Sequence, residues 1–255
     1  MTFSLYDTIT MMQPSEARDN ALRKIEQHRY EWDFRRRPDQ IPPFDPYWHT
    51  WIYSGGRGAG KTRTGAEEAD KFARGHAGSR LLLVARTVVD ARAILVEGES
   101  GILSLHGGKN GVRYNPALRQ LEWRNGSKAF VTGSDEPDSI RGVEAHFGWA
   151  DEVATWRTYK NKFDAWDHMR LAVRLRHTLD DFPRTIITTT PRKTKMLKKL
   201  HKELKSNPLG VRLTMASTES NVGNLHQNFL KAMSDMYDGT GMSETELEGQ
   251  WPWKY

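Results

Sequence analysis

Residues Gly55-Gly56-Arg57-Gly58-Ala59-Gly60-Lys61-Thr62 set four residues between two glycines, Gly55 and Gly60, and follow the second with Lys-Thr. A loop of this spacing turns its backbone N–H groups toward a phosphate, because few side chains obstruct the approach. The Lys61 ammonium can then reach the β- and γ-phosphates, and the Thr62 hydroxyl can ligate Mg²⁺. Gly55, Gly56, Arg57, Gly58, Ala59, Gly60, Lys61 and Thr62 are therefore candidate contacts of a nucleoside triphosphate. The bland alternative is a glycine-rich turn between strand and helix, and the flanking elements argue against it.

A phosphate-binding loop (P-loop) does not hydrolyse by itself. Hydrolysis needs an acid on the metal and a base that orients water. Asp151-Glu152, after the apolar run Phe147-Gly148-Trp149-Ala150, is the acidic pair best placed for this. In that reading Asp151 holds Mg²⁺ through its water shell and Glu152 polarises the nucleophilic water. Adjacent acids on a loop are more often merely solvated, so the pair gains meaning only beside the P-loop. An arginine must also neutralise the transferring phosphoryl group. Arg57 lies within the loop itself. Arg141, in Asp138-Ser139-Ile140-Arg141-Gly142, is the other candidate, facing its own site or a neighbour's.

These groups need a scaffold. From residue 50 the pattern alternates strand and helix, as in parallel α/β folds. Strands are expected at Thr50–Ser54, Leu81–Ala85, Phe147–Ala150, Arg184–Thr190 and Val211–Met215. Helices are expected from Thr64 to Ala73, Val89 to Glu97, Lys160 to Leu175, Leu225 to Tyr237 and Ser243 to Glu248. Short strands at Val112–Tyr114, Gln120–Trp123 and Lys128–Thr132, separated by Asn-Pro and Asn125-Gly126 turns, read as an antiparallel meander beside the parallel sheet. Ser15 is a candidate cap for an N-terminal helix reaching about Phe34.

Bulk properties narrow the class. The 255 residues suit one large α/β domain, and nine Trp, nine Phe and eight Tyr argue against disorder. With no cysteine, disulfide scaffolds, zinc–thiolate sites and cysteine catalysis are excluded. No apolar run has the length of a membrane span. The net charge of +6 is compatible with a polyanionic partner. Arg192 to Lys205 carries seven Lys/Arg against one acid, Glu203. Its lysines read either as a solvated helix face or as contacts to a nucleic-acid backbone.

Together these residues resemble the ATPase domain of the large terminase subunit of tailed bacteriophages, over about residues 35 to 250. Arg37-Pro38-Asp39-Gln40-Ile41-Pro42-Pro43 is similar to that family's segment before the P-loop, which makes Arg37 and Gln40 expected nucleotide contacts, Gln40 at adenine. Gly55 through Glu67 resembles its P-loop and adds Arg63. Arg141-Gly142 and Trp149-Ala150-Asp151-Glu152 resemble its arginine and Walker B regions. Thr188-Thr189-Thr190-Pro191-Arg192 is similar to its coupling motif, which links nucleotide state to movement. Ser217-Thr218, Asn224-Leu225 and Glu246-Leu247-Glu248-Gly249 resemble its lid.

The resemblance implies an α/β P-loop NTPase fold of the additional-strand, catalytic-glutamate type, with a mainly parallel sheet flanked by helices and a small C-terminal lid. With the N-terminal helical segment over 1–34, it gives an ATPase core over 35–209 and a lid with the start of a linker over 210–255. The expected activity is Mg²⁺-dependent ATP hydrolysis that moves double-stranded viral DNA into a procapsid. Expected partners are duplex DNA, the portal protein, the small terminase subunit and further copies in a ring, with a monomer open to an isolated domain. The expected place is the host cytoplasm, docked on the procapsid, without a membrane. In a ring Arg141 is the stronger choice for an arginine donated to the adjacent subunit, with Arg57 competing. Large terminases continue into a nuclease domain, and this chain is expected to lack it. The alternatives are a helicase-type, nucleic-acid-stimulated ATPase and a nucleotide-gated DNA-binding or assembly protein.

Overall fold

The computed structural model describes residues 12–21, 32–108, 111–177, 182–237 and 243–254. Two compact units are present, residues 1–38 and 39–255. In the first, residues 16–21 are helical, and the Ser15 hydroxyl accepts the Arg18 N–H at 3.1 Å, capping the turn as its type suggests. Trp32–Arg35 forms a further helical turn. The middle of the expected N-terminal helix lies outside the described residues.

The second unit is built on β-branched and apolar runs that become strands. These are β1 (Thr50–Gly55), β2 (Arg80–Ala85), β3 (Arg113–Asn115), β4 (Gln120–Glu122), β5 (Lys128–Gly133), β6 (Phe147–Asp151), β7 (Arg184–Thr189) and β8 (Val211–Ala216). They make one sheet in the order β3-β4-β5-β2-β6-β7-β1-β8. The β3–β4 and β4–β5 pairs are antiparallel and every other pair is parallel. β7 is the additional strand: it lies between β6, which ends in the acidic pair, and β1, which feeds the P-loop. The fold is thus a P-loop NTPase fold. β8, assigned above to the lid region, pairs with β1 from Thr50↔Val211 to Gly55↔Ala216 and is part of this sheet.

Alternation along the strands divides the core between the two sheet faces. Trp51, Tyr53, Leu81, Leu83, Trp149 and Ile186 pack on one side. There they meet Ala66, Ala69 and Ala73 of helix α1 (Lys61–Gly75). Ile52, Leu82, Val84, Ala150 and Ile187 pack on the other. That face is covered by helix α3 (Ala165–Ala172) and helix α4 (Lys195–Ser206), through Trp166, Met169, Met196, Leu197 and Leu200.

Four helices differ from their expected form. The segment expected as a helix from Val89 to Glu97, here α2, is α-helical only over Val88–Asp90 and continues as π-helical turns over Ala91–Val96. α3 begins at Ala165 rather than near Lys160, because Asp164 and Asp167 form a reciprocal capping box that fixes the start. Helix α5 spans Gln227–Tyr237, and the last helix, α6, is a single turn, Ser243–Glu246.

Candidate active site

Buried β1 delivers the chain to the P-loop, and Gly60 starts α1 with φ +81°, a left-handed conformation that glycine adopts without strain. No side chain caps this helix end. Its first-turn N–H groups, which lack intrahelical acceptors, join the helix dipole in favouring an anion. Lys61 folds back over the loop, donating to the Gly55 carbonyl at 3.2 Å and the Gly56 carbonyl at 3.0 Å. Its Nζ lies 3.7 Å from Glu152 Oε1, so the P-loop lysine and the second acid of the pair share one site.

What joins the two strands at this edge is a set of three threonines at the end of β7. The Thr188 hydroxyl donates to Asp151 Oδ1 at 2.6 Å and accepts from Trp149 Nε1 at 2.8 Å. The Thr189 hydroxyl accepts the Ala154 N–H at 3.0 Å, just past the acidic pair. Thr190 donates to Glu152 twice, from its N–H to Oε2 and from its hydroxyl to Oε1, each at 3.1 Å. Glu152 itself has φ +47° and ψ +45°, with its N–H donating to the Thr188 carbonyl at 2.6 Å. Such a left-handed non-glycine residue persists only where surroundings over-determine it. Here a backbone bond and two side-chain bonds do so.

Asp151 is fully buried, and its carboxyl is pushed up to about 7, first by burial and then by the charge of Glu152; Thr188 and Lys61 act in the opposite direction. A carboxylate so placed favours an adjacent cation. Thr62 lies in the first turn of α1, next to Lys61. The glycine cradle, the uncapped helix end, Lys61 and the buried acid together fit a metal–triphosphate. Trp149 ties the halves sterically. A Cβ on Gly65 would fall inside contact distance of the indole Nε1 and Cε2, so only glycine allows α1 this close to β6.

The segments after β8 close over the outside of the P-loop. Thr218 Oγ1 donates to the Arg57 carbonyl at 2.7 Å, and Asn221 Nδ2 to the Gly58 carbonyl at 2.7 Å. Leu225 and Phe229 lie over Gly58. The Arg57 N–H donates to the Glu246 carbonyl at 2.6 Å, and its guanidinium Nε is 3.7 Å from Glu246 Oε2. Arg192, two residues beyond Thr190, holds the other oxygen of Glu246 at 2.9 Å and 3.1 Å. Sequence reading assigns these segments to a lid but gives Thr218, Asn221 and Glu246 no individual role. Their contacts span 54 to more than a hundred residues, for which local patterning carries no signal.

Two further expected residues are bonded to α1. Arg63 is bound to Glu67 on its own helix at 2.6 Å and 2.9 Å. Gln40 is buried and donates to the Thr64 hydroxyl at 2.9 Å, one turn into α1. Arg37 lies in the N-terminal unit. Arg141 is exposed after the 3-10 turn Pro137–Ile140, in a cleft with Asn161, Phe163 and Leu171. Its turn lies in the connection from β5 to β6, the latter two strands from β1 in the sheet. In the basic segment, Lys199 is tied to Asp164 and Asp167 at 2.9 Å and 2.6 Å, while Lys195, Lys198, Lys202 and Lys205 line the rest of α4. All four belong to the solvent side of the helix, opposite its buried Met196, Leu200 and Leu204.

The family model for the large terminase subunit N-terminal domain, T4-like-virus type, matches residues 52–254. No curated protein matches the chain in sequence. Among solved structures it is similar to the large terminase of a thermophilic bacteriophage, at 15% identity with a TM-score of 0.63, over 89% of this chain and 53% of that one. That terminase is also solved with ADP and with ATP-γ-S. The large terminase ATPase domain of Thermus phage P74-26 is similar at 15% identity and a TM-score of 0.59, over 94% of this chain and 99% of that one. The HK97 bacteriophage large terminase is similar at 12% identity and a TM-score of 0.58, over 80% and 47%. The chain thus spans about half the length of the first and last of these proteins.

Proposed function

The chain belongs to the large-terminase family, in its T4-like N-terminal-domain branch, and we propose that it is a Mg²⁺-dependent ATPase whose turnover drives double-stranded viral DNA into a procapsid. The observation that carries the hydrolytic reading is the 3.7 Å approach of Lys61 Nζ to a Glu152 carboxylate held by Thr190. A nucleotide-gated binding protein needs the lysine but has no use for a fixed acid opposite it.

Bound Mg²⁺ would neutralise phosphate charge and draw electron density from the phosphorus. Thr62 and Asp151 are the residues proposed to hold it, with Asp151 kept in place by Thr188. Lys61 and the P-loop amides bind the phosphates. Glu152 accepts a proton from the attacking water and orients it, its own direction fixed by Thr190. Thr188, Thr189 and Thr190 tie both acids and the turn after them to β7. Any shift of Glu152 with nucleotide state is therefore passed to the chain leading into α4. Gln40, already bonded to α1, and Arg37 are retained as proposed contacts to the base side of the nucleotide, and Arg63 to the phosphate side.

The exposure of Arg141 supports a role in a neighbouring copy's site, in a ring that engages duplex DNA, the portal protein and the small terminase subunit in the host cytoplasm. The solvent-side lysines of α4 are compatible with a DNA backbone. Among the described residues no helix is long and apolar enough to cross a membrane. The deciding experiment is Glu152→Gln in an assembled sample: ATP binding within twofold of wild type with turnover reduced at least about a thousandfold is expected. Unchanged turnover would remove Glu152 as the base.

A further inference from the structure

Glu246 occupies an unusual electrostatic position. Its side chain is 7% exposed, whereas its two cationic partners, Arg57 and Arg192, are 56% and 50% exposed. A buried carboxylate is thus held from two sides by arginines that remain free to swing on their outer sides. The two contacts differ. Arg192 gives Oε1 hydrogen bonds at 2.9 Å and 3.1 Å, but Oε2 has no hydrogen-bond donor and only the more distant Arg57 Nε at 3.7 Å. Both arginines also sit on site elements. Arg57 is inside the P-loop, and Arg192 lies two residues past Thr190, which grips Glu152.

We propose that Glu246 is a positioning residue for the nucleotide site. It holds Arg57 and Arg192 away from the phosphates until a terminal phosphate draws them across, and it thereby couples triphosphate binding to release of the 243–249 segment. The proposal rests on the nucleotide reading above. A terminal phosphate offers an arginine more negative charge than one carboxylate, and a geometry that accepts the planar guanidinium with two parallel bonds. Its place must be near Glu152, since Glu152 is to aim water at it, and Arg192 follows closely on Thr190, which holds Glu152. A diphosphate lacks this group and leaves the clamp closed. Once its arginines depart, Glu246 is a buried charge without a partner, a costly arrangement that ends when the segment moves toward water. Thr218, whose N–H donates to the Leu247 carbonyl and whose hydroxyl donates to the Arg57 carbonyl, links that movement to the P-loop.

By reciprocity, weakening the clamp strengthens triphosphate binding and leaves diphosphate binding alone. The test is calorimetric titration of the 255-residue chain with ATP-γ-S and with ADP, each with Mg²⁺, for wild type, Glu246→Gln and Arg192→Ala. Glu246→Gln is expected to tighten ATP-γ-S about fivefold, and Arg192→Ala to weaken it about tenfold, with ADP within about twofold in both. ADP binding also reports that each variant is folded. On wild type, ATP-γ-S but not ADP is expected to speed hydrogen exchange of residues 243–249. An unchanged ATP-γ-S to ADP ratio in Glu246→Gln, or equal exchange with the two nucleotides, overturns the clamp while leaving the ATPase reading intact. Failure of wild type to bind either nucleotide removes that reading, and the clamp with it.

Discussion

Thr190 grips Glu152 with two bonds that come from different parts of the residue, the backbone N–H to Oε2 and the hydroxyl to Oε1, each 3.1 Å long. Only the second depends on the side chain, so it can be removed alone. In Thr190→Val the carboxylate keeps one bond and its backbone geometry but loses directional control. A hydrogen bond to a charged group is worth about 1.5–3 kcal/mol, so turnover should fall roughly 10–100-fold. ATP affinity should stay within about twofold, because Lys61 and the loop amides are untouched. Single-turnover hydrolysis and nucleotide titration separate the two, and a loss of affinity with unchanged turnover would contradict the positioning role.

Thr188 has a different task, because it serves two buried groups at once. Its hydroxyl donates to Asp151 and accepts from Trp149. Thr188→Val keeps the shape, orphans the buried indole N–H and takes one donor from the buried acid, which keeps the Glu152 backbone N–H and the charge of Lys61. The orphaned N–H costs about 1–3 kcal/mol and the bond lost to the acid about 0.5–1.5 kcal/mol, so the folded state should lose roughly 2–4 kcal/mol. Urea unfolding at neutral pH checks this, and Thr188→Ser should recover most of the loss.

How far the sequence foretells such contacts depends on their range. The P-loop, its helix and the acidic pair are legible because each is a local pattern: glycine spacing, an apolar run, a carboxylate at a strand end. The three threonines are visible as a β-branched strand, but their pairing with Asp151, Ala154 and Glu152 requires knowing that β7 inserts beside β6. Strand order is a non-local property, and the same holds for β8, which reads as lid from its place in the chain and as core from its pairing with β1. The start of α3 was available locally, since Asp164 and Asp167 have capping-box spacing. The clamp of Glu246 on Arg57 and Arg192 was not, because no periodicity connects residues so distant.

The approach of α1 to β6 makes Gly65 a steric test of the site. Gly65→Ala places a methyl group inside the Trp149 indole, which is itself fully buried and bonded to Thr188. A fully buried ring can yield only by shifting its neighbours, so overpacking should cost about 1–3 kcal/mol or more. For a domain of this size that is a fall in melting temperature of roughly 2–10 °C. Trp149→Phe, which shortens the ring system, should relieve part of the clash. A double mutant more stable than the sum of the two single changes is therefore expected, and simple additivity would count against direct contact.

The last prediction concerns pH and the far end of the chain. Trp251 Nε1 donates to His201 Nδ1 at 3.1 Å, joining the C-terminal segment to α4. This bond requires an unprotonated ring nitrogen. Burial first, and the positive charge of Lys205 second, hold the His201 pKa below its ordinary 6.5. The unfolded chain therefore binds the proton more readily than the folded one. It follows that the stabilisation from a neutral His201 is complete above about pH 6.5 and is lost as pH falls from there through the folded-state pKa. His201→Gln supplies an acceptor that does not titrate. Its stability relative to wild type should accordingly improve as pH is lowered from about 7.5 to about 5, with His49 and His146, also held low by burial, cancelling in the comparison. Denaturant midpoints measured at half-unit intervals decide the matter: a difference between the two proteins that stays constant across this range would mean that His201 does not anchor Trp251 through its neutral form.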